Sequence, residues 1–311
     1  MSKIITITFS PSIDKSANVS EIKSDIKMHC SNLNIEPGGG GINVARVIGR
    51  LGGDVTAIFP SGGYAGMRFN DLLKEEKVAF INIDTKNETR ENLVIFDESS
   101  NQEFRFGMPS NEIFEVEIEN ILSTIKNLNY LDFIIVSGSL PASIPFSIFG
   151  KIAAIAKSKN AKLIVDTSGE ALKHALNEGL YLLKPNREEL GKLLKIKDLR
   201  IEDIEAAAKT LIQKKQCEIV VVSLGANGAM LVSKDEVHLI KPPKVEVKNT
   251  VGAGDSMVAG IVFGLSNNLP LHDCLQYGIA CGTATTMNVG SSLCEKNEVE
   301  ALLEIIKKTN L

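Results

Sequence analysis

Asn249-Thr-Val-Gly-Ala-Gly-Asp-Ser-Met257 places two glycines and one carboxylate directly ahead of an apolar run of small residues, Met257 to Leu265. This pattern predicts a loop that opens a buried helix. Gly252 and Gly254 can adopt backbone conformations closed to other residues, so the N–H groups of Gly252, Ala253 and Gly254 can turn inward beside the positive end of the helix dipole. The result is an anion hole. A carboxylate at its mouth, Asp255, would repel a phosphate if the loop only held one, but it makes sense as a base. It could take a proton from a hydroxyl while the amides stabilise charge on a transferring phosphoryl group. An ordinary helix N-terminus with an acidic first turn would show the same few residues.

Other segments carry compatible chemistry. Glu36-Pro-Gly-Gly-Gly-Gly-Ile-Asn-Val-Ala-Arg46 puts four glycines before an amphipathic helix that runs through Leu51. The glycines let a ligand approach the backbone closely, and Asn43, one turn into the helix, can point an amide at sugar hydroxyls. Lys184-Pro-Asn-Arg-Glu-Glu189 sets Asn186 and Glu189 three residues apart at a helix start. The pair suits water or Mg2+ beside nucleotide phosphates, and equally suits a helix cap. Ser223-Leu-Gly-Ala-Asn-Gly228 reads as a site for a flat base or ribose, with Ser223, Gly225 and Gly228 close to it, or as a plain hairpin turn.

The elements that must hold these residues follow a regular order. Lys3 to Phe9 alternates β-branched residues and leads into Ser10-Pro-Ser-Ile-Asp14, so a strand is expected to deliver Ser12 and Asp14 to its C-terminal edge, where ligands of open α/β sheets collect. For Asp14 a turn or cap is the alternative. Short apolar strands then alternate with helices along the chain, which predicts a mostly parallel sheet covered on both faces. Two stretches break the rhythm. Residues 15 to 35 and 90 to 108 alternate polar and apolar residues, the second as a hairpin with Phe104 and Phe106 flanking Arg105. Together they are expected to form a small sheet outside the main fold, a lid inserted into a single α/β domain spanning 1 to 311. Lys27, Arg90 and Arg105 are its candidate anion contacts, though each alone could be solvated surface. An apolar face on so small a sheet calls for a partner, so a homodimer through the lid is expected.

Composition excludes several classes. A hydrophobic share of 44%, a charged share of 23% and a formal net charge of -4 carry no basic excess for nucleic acid or an anionic membrane. No run approaches the about 18 apolar residues of a membrane span, and no signal peptide precedes the first strand pattern, so a cytoplasmic location is expected. Five cysteines without C-x-x-C spacing argue against a disulfide framework or a zinc site. Neither the dinucleotide fingerprint nor G-x-x-x-x-G-K-[ST] occurs, which counts against a nicotinamide oxidoreductase and a Walker-type ATPase.

Taken in order, Ser12/Asp14, the segment from Gly38 to Asn43, Ser137-Gly-Ser139, the Asn186/Glu189 pair, the Ser223 loop and Gly252-Ala-Gly-Asp255 make the chain resemble the ribokinase-like carbohydrate kinases nearly end to end. The phosphofructokinase branch is the most similar in Pro37 to Arg46, in Val165-Asp-Thr-Ser-Gly-Glu170 and in Thr250 to Met257. The resemblance implies a three-layer α/β/α fold with a small β-sheet lid and MgATP-dependent phosphorylation of a sugar hydroxyl. It makes Asp255 the base and the Gly252 to Gly254 amides the anion hole. Ser12, Asp14, Gly39, Asn43 and Ser139 would hold the sugar, and Lys184, Asn186, Ser223, Gly225 and Gly228 the ATP. Glu189 would act indirectly on Mg2+. Asn249, Val251, Asn288, Gly290 and Ser292 match positions where members bind K+ through carbonyls, with Asn249 standing where several members have Asp. Gly40 stands where kinases of fructose 1-phosphate and tagatose 6-phosphate commonly carry lysine. Fructose 6-phosphate, phosphorylated at its C1 hydroxyl, is therefore the expected acceptor, with those two kinases as alternatives. A non-catalytic sugar-phosphate-binding regulator is the reading from a different class, and it would have no need of Asp255.

Overall fold

Continuously apolar, β-branched strands are what a parallel sheet buried on both faces requires, and Ile4–Ile7 (β1) is such a strand, every residue buried. The computed structural model describes residues 2–309. The chain leaves β1 for two strands of a second sheet, Ser12–Val19 (β2) and Ser31–Gly38 (β3), and returns through helix Gly40–Leu51 (α1) to Val55–Ser61 (β4). Helix Gly63–Glu75 (α2) and strand Ala79–Asp84 (β5) follow, then the hairpin Arg90–Asp97 (β6) and Gln102–Phe106 (β7). Next come Glu115–Asn127 (α3), Phe133–Ser137 (β8), Ile148–Ser158 (α4), Lys162–Asp166 (β9), Gly169–Ala175 (α5) and Leu180–Leu183 (β10). Arg187–Leu194 (α6), Ile204–Gln213 (α7) and the strands Cys217–Ser223 (β11), Ala229–Val232 (β12) and Val237–Ile240 (β13) lead to the helices Ala253–Ser266 (α8), Leu271–Thr286 (α9) and Lys296–Thr309 (α10).

The nine-stranded sheet has the order β13-β12-β11-β10-β9-β8-β1-β4-β5, parallel from β11 to β5, with β12 antiparallel to both of its neighbours. One apolar core packs residues of α1, α2, α8, α9 and α10 against one face of the sheet, and a second packs α3, α4, α5, α6 and α7 against the other. These are the three expected layers. Among the described residues no helix is long and apolar enough to cross a membrane.

The second sheet is ordered β3-β2-β6-β7, with β2 and β6 parallel and the outer pairs antiparallel. Its strands lie within the two alternating stretches, extended slightly at Ser12 and Gly38. Here one expectation is corrected. Ser12 and Asp14 do not sit on the carboxyl edge of β1, because β1 ends at Ile7 and β2 begins at Ser12, paired with Gly38 and Arg90. The backbone of Ser12 is thus held on both sides by lid strands. Strand alternation sorts the side chains by face. Asp14, Ser16, Asn92, Glu103 and Arg105 share the face turned to the main sheet, while Lys15, Leu93, Phe104 and Phe106 share the outer one.

Candidate active site

Parallel register brings three polar side chains into a row at the carboxyl edge of the central sheet. Ser137 ends β8 and pairs with Asp166 at the end of β9, while Leu183 of β10 pairs with Val165, so Lys184 emerges beside Asp166. Its ammonium lies 3.6 Å from Asp166 Oδ1, with both side chains largely buried. Facing this row is the N-terminus of α8. Gly252 precedes the helix at φ 73°, a left-handed conformation that a side chain would strain. The chain thereby turns into the helix with its first N–H groups free of intrahelical acceptors. A Cβ on Gly254 would lie 3.3 Å from Lys184 Nζ, so the lysine cation lies close to the start of α8.

Asp255, in the first turn of α8, is where the elements converge. Its Oδ2 accepts from Asn43 Nδ2 of α1 at 2.9 Å, and its Oδ1 from Ser137 Oγ at 3.4 Å. Burial pushes its pKa up to about 7, aided by the carboxylate of Asp166, against the opposing pull of Asn43 and Lys184. Burial also raises Asp166. It would lower Lys184, but the carboxylates of Asp166, Asp255 and Glu189 outweigh it and keep the ammonium protonated. The centre therefore holds a fixed cation beside a carboxylate able to take up and release a proton near neutrality.

The lid furnishes a second cluster. Asp14 Oδ1 accepts from Ser12 Oγ and from Asn92 Nδ2, each at 2.8 Å, and burial raises its pKa. Arg90 donates from Nη1 to Met108 O and from Nη2 to Ser10 O, at 3.1 and 3.2 Å, while its Nε is buried without a partner. Lys27 is exposed in the loop between β2 and β3. Arg105 lies elsewhere on the lid, paired with Glu103 and donating to Asn249 Oδ1 at 3.3 Å. Close packing explains the glycine run: a Cβ on Gly40 would stand 2.4 Å from Ser137 Oγ and 2.6 Å from Gly138 N, so this backbone has no room there for the lysine considered above.

On the other side of the anion hole is a largely apolar cavity of about 550 Å³, lined by residues that include Ser223, Gly225, Gly228, Val245, Gly254 and Thr283. The Ser223 loop is at once a hairpin connection, since β11 and β12 pair antiparallel, and a wall of this cavity. Asn186 adjoins it through a backbone bridge to Ser223. Asn186 and Glu189 form a reciprocal capping box on α6, each side chain accepting from the other's backbone N–H at 2.8 Å. The helix-cap alternative is thus real, and Glu189 still acts electrostatically on Asp166 and Lys184. Among the described residues no group of three or more His, Cys, Asp or Glu is placed to hold a metal by itself.

Ser139, expected at the sugar, is exposed just beyond the row, and Ser137 is the serine that reaches Asp255. Two contributors escaped the sequence reading. Asp166 sits within a quoted motif, and the signal was an acid closing an apolar strand. Arg46, 1% exposed, binds Glu36, Glu76 and Pro37 O and so joins α1 to the base of the lid; on an amphipathic helix nothing marked it.

Residues 5–298 match the pfkB family of carbohydrate kinases. The chain is 36% identical over 309 residues to ATP-dependent 6-phosphofructokinase isozyme 2 of Escherichia coli, covering 99% of this chain and 100% of that one. It is 32% identical to 1-phosphofructokinase of Bacillus subtilis, covering 99% and 100%. Its fold is similar to crystal structures of Escherichia coli phosphofructokinase-2 in complex with potassium, at a TM-score of 0.94 and 36% identity, and in complex with fructose-6-phosphate, at 0.93 and 35%; each alignment covers 99% of this chain and 100% of that one. With its mostly parallel sheet, its separate four-stranded sheet and a match along nearly its whole length, the chain belongs to the pfkB family of carbohydrate kinases, phosphotransferases that act on a hydroxyl group.

Proposed function

We propose that the protein transfers the γ-phosphoryl group of ATP to the C1 hydroxyl of fructose 6-phosphate, giving fructose 1,6-bisphosphate and ADP. The observation that carries this reading is Asp255, half-buried, raised to about 7, and set in the first turn of α8, whose Gly254 lies close to Lys184. Asp255 takes the hydroxyl proton as the oxygen attacks and later releases it to solvent. The Gly252 to Gly254 amides and Lys184 stabilise the charge on the phosphoryl group in flight. Asn43 orients the base. Ser12, Asp14, Gly39, Asn43 and Ser139 hold the sugar hydroxyls. Asn186 and Glu189 would hold the water around an ATP-bound Mg2+, which would supply neutralisation of phosphate charge. The base and ribose occupy the cavity beside Gly225 and Gly228.

Support for a C6 phosphate comes from the two ends of the site. At the Gly40 position the backbone packs against Ser137 and Gly138 and has no room for a lysine side chain. Beneath the lid, Arg90 keeps an unpartnered buried Nε–H and lies beside Asp14, with Lys27 as a further lid cation. A relative named for the other acceptor, 1-phosphofructokinase, makes the substrate the point to test. Steady-state kcat/KM for fructose 6-phosphate, fructose 1-phosphate and tagatose 6-phosphate decides it. The reading expects the first to be highest; a higher value for either of the others removes the assignment, and no sugar-dependent ADP release at all would favour a binding protein. The outer lid face, with Leu93, Phe104 and Phe106 exposed, is the surface through which two copies pair.

A further inference from the structure

A short segment, residues 291–294, runs from the root of the lid to the anion hole. It begins at Ser291, buried, whose Oγ donates to Glu36 Oε2 of β3 at 2.8 Å, and Ser292 Oγ reaches the same oxygen at 3.4 Å. Leu293 follows, 2% exposed and packed so closely on Gly252 that a Cβ there would lie 2.6 Å from Leu293 Cδ2. Arg50 of α1 donates to Leu293 O at 3.0 Å and to Cys294 O at 3.2 Å. Cys294 N donates to Thr285 Oγ1 at 3.1 Å, and that hydroxyl donates to Ser256 Oγ, next to Asp255, at 2.7 Å. Helices therefore hold the segment at 293 and 294, whereas at its Ser291 end the partner is a lid strand.

Glu36 lies directly opposite Asp14 in the β2–β3 pair and two residues before Gly38. Its Oε1 accepts from Arg46 Nη2 at 3.1 Å, and Arg46 is pinned in turn to Glu76 and to Pro37 O. Its Oε2 accepts from Asn34 Nδ2 at 2.9 Å as well as from the two serines. One carboxylate thus joins the strand beside the sugar site to the segment that touches Gly252. Gly252 needs such a restraint, because a glycine at φ 73° has many other conformations open to it. We propose that Glu36, acting through Ser291, is a positioning residue that couples the sugar site to the anion hole. A sugar phosphate seated on Asp14 and Gly39 steadies the end of β3, Glu36 steadies Ser291, and Leu293 then holds Gly252 in its left-handed conformation. The amides are set when the acceptor is present, which withholds the phosphoryl group from water. The coupling rests on the sugar-kinase reading, since it needs a sugar phosphate at Asp14.

Amide hydrogen exchange, in one fixed salt and with a non-hydrolysable MgATP analogue bound, follows two segments: 36–43, which reports sugar-phosphate binding itself, and 250–256, which reports the anion hole. In wild type, fructose 6-phosphate should slow exchange in both. In Ser291→Ala, which leaves the Glu36–Arg46 pair in place, it should slow exchange in 36–43 alone. The same variant should lower kcat by about fivefold or more, the worth of roughly one hydrogen bond, with both KM values within about twofold of wild type. A loss of stability alone would not produce that split. Protection of 250–256 that persists in Ser291→Ala, an unchanged kcat, or a wild-type 250–256 segment that ignores a sugar phosphate protecting 36–43 overturns the proposal. If neither segment responds to fructose 6-phosphate, fructose 1-phosphate or tagatose 6-phosphate, the sugar-kinase reading itself has failed, and the coupling falls with it.

Discussion

Asp255 is placed in a setting that would be costly for a permanently charged group. Burial, the Asp166 carboxylate and the Lys184 cation act on it at once, and the balance leaves it titrating at about 7. In the proposed mechanism the ionised form is the base, so kcat/KM should rise with pH and level off above about 7. Asn43 stabilises the ionised form by donating to it, so Asn43→Ala should move that midpoint upward as well as slow the reaction. A pH–rate profile of both proteins reads this, and a midpoint near 4 in wild type would contradict it. At the other end of the sugar, removing one charge-assisted contact costs about 1.5 to 3 kcal/mol. Arg90→Ala should accordingly raise KM for the sugar phosphate roughly tenfold or more and leave KM for ATP nearly unchanged. An undiminished preference for phosphorylated over unphosphorylated sugar in that variant would remove Arg90 from the phosphate site.

Helix α6 shows how one pair of residues can serve two ends. Its capping box satisfies the N–H groups of Asn186 and Glu189, and the same carboxylate faces the Asp166 and Lys184 charges. Glutamine can fill the same capping role, so Glu189→Gln should change stability by less than about 1 kcal/mol while raising the Mg2+ concentration needed for half-maximal rate. An unchanged Mg2+ dependence would leave Glu189 a cap only. What the sequence makes legible divides along the same lines. The lid hairpin is local and alternating, so it shows in Arg90 to Phe106. The parallel pairing of β2 with β6 joins residues 78 apart, Ser12 with Arg90, and no local pattern encodes it, so the sequence shows Ser12 and Asp14 following the first strand but not their place in a lid strand. Asp166 and Ser137 become neighbours only through strand register. Gly252, Asp255 and Asn43 were legible because glycine, acid and amide each have few physical reasons to stand where they do.

At the scale of the whole molecule, the lid presents polar side chains to the site and Leu93, Phe104 and Phe106 to the outside. A small sheet exposing such a face is expected to bury it against a second copy. Sedimentation at micromolar concentration should give a dimer, and Phe106→Asp should shift it toward monomer; a fully active wild-type monomer would remove the idea. The account as a whole stands on the convergence of α1, β8, β9, β10 and α8 upon a single carboxylate. ADP release with saturating ATP and fructose 6-phosphate, measured for wild type and Asp255→Asn, tests that most directly. The predicted result is a turnover lower by roughly 10²- to 10⁴-fold with nucleotide affinity little changed; an Asn variant within about tenfold of wild type would contradict it.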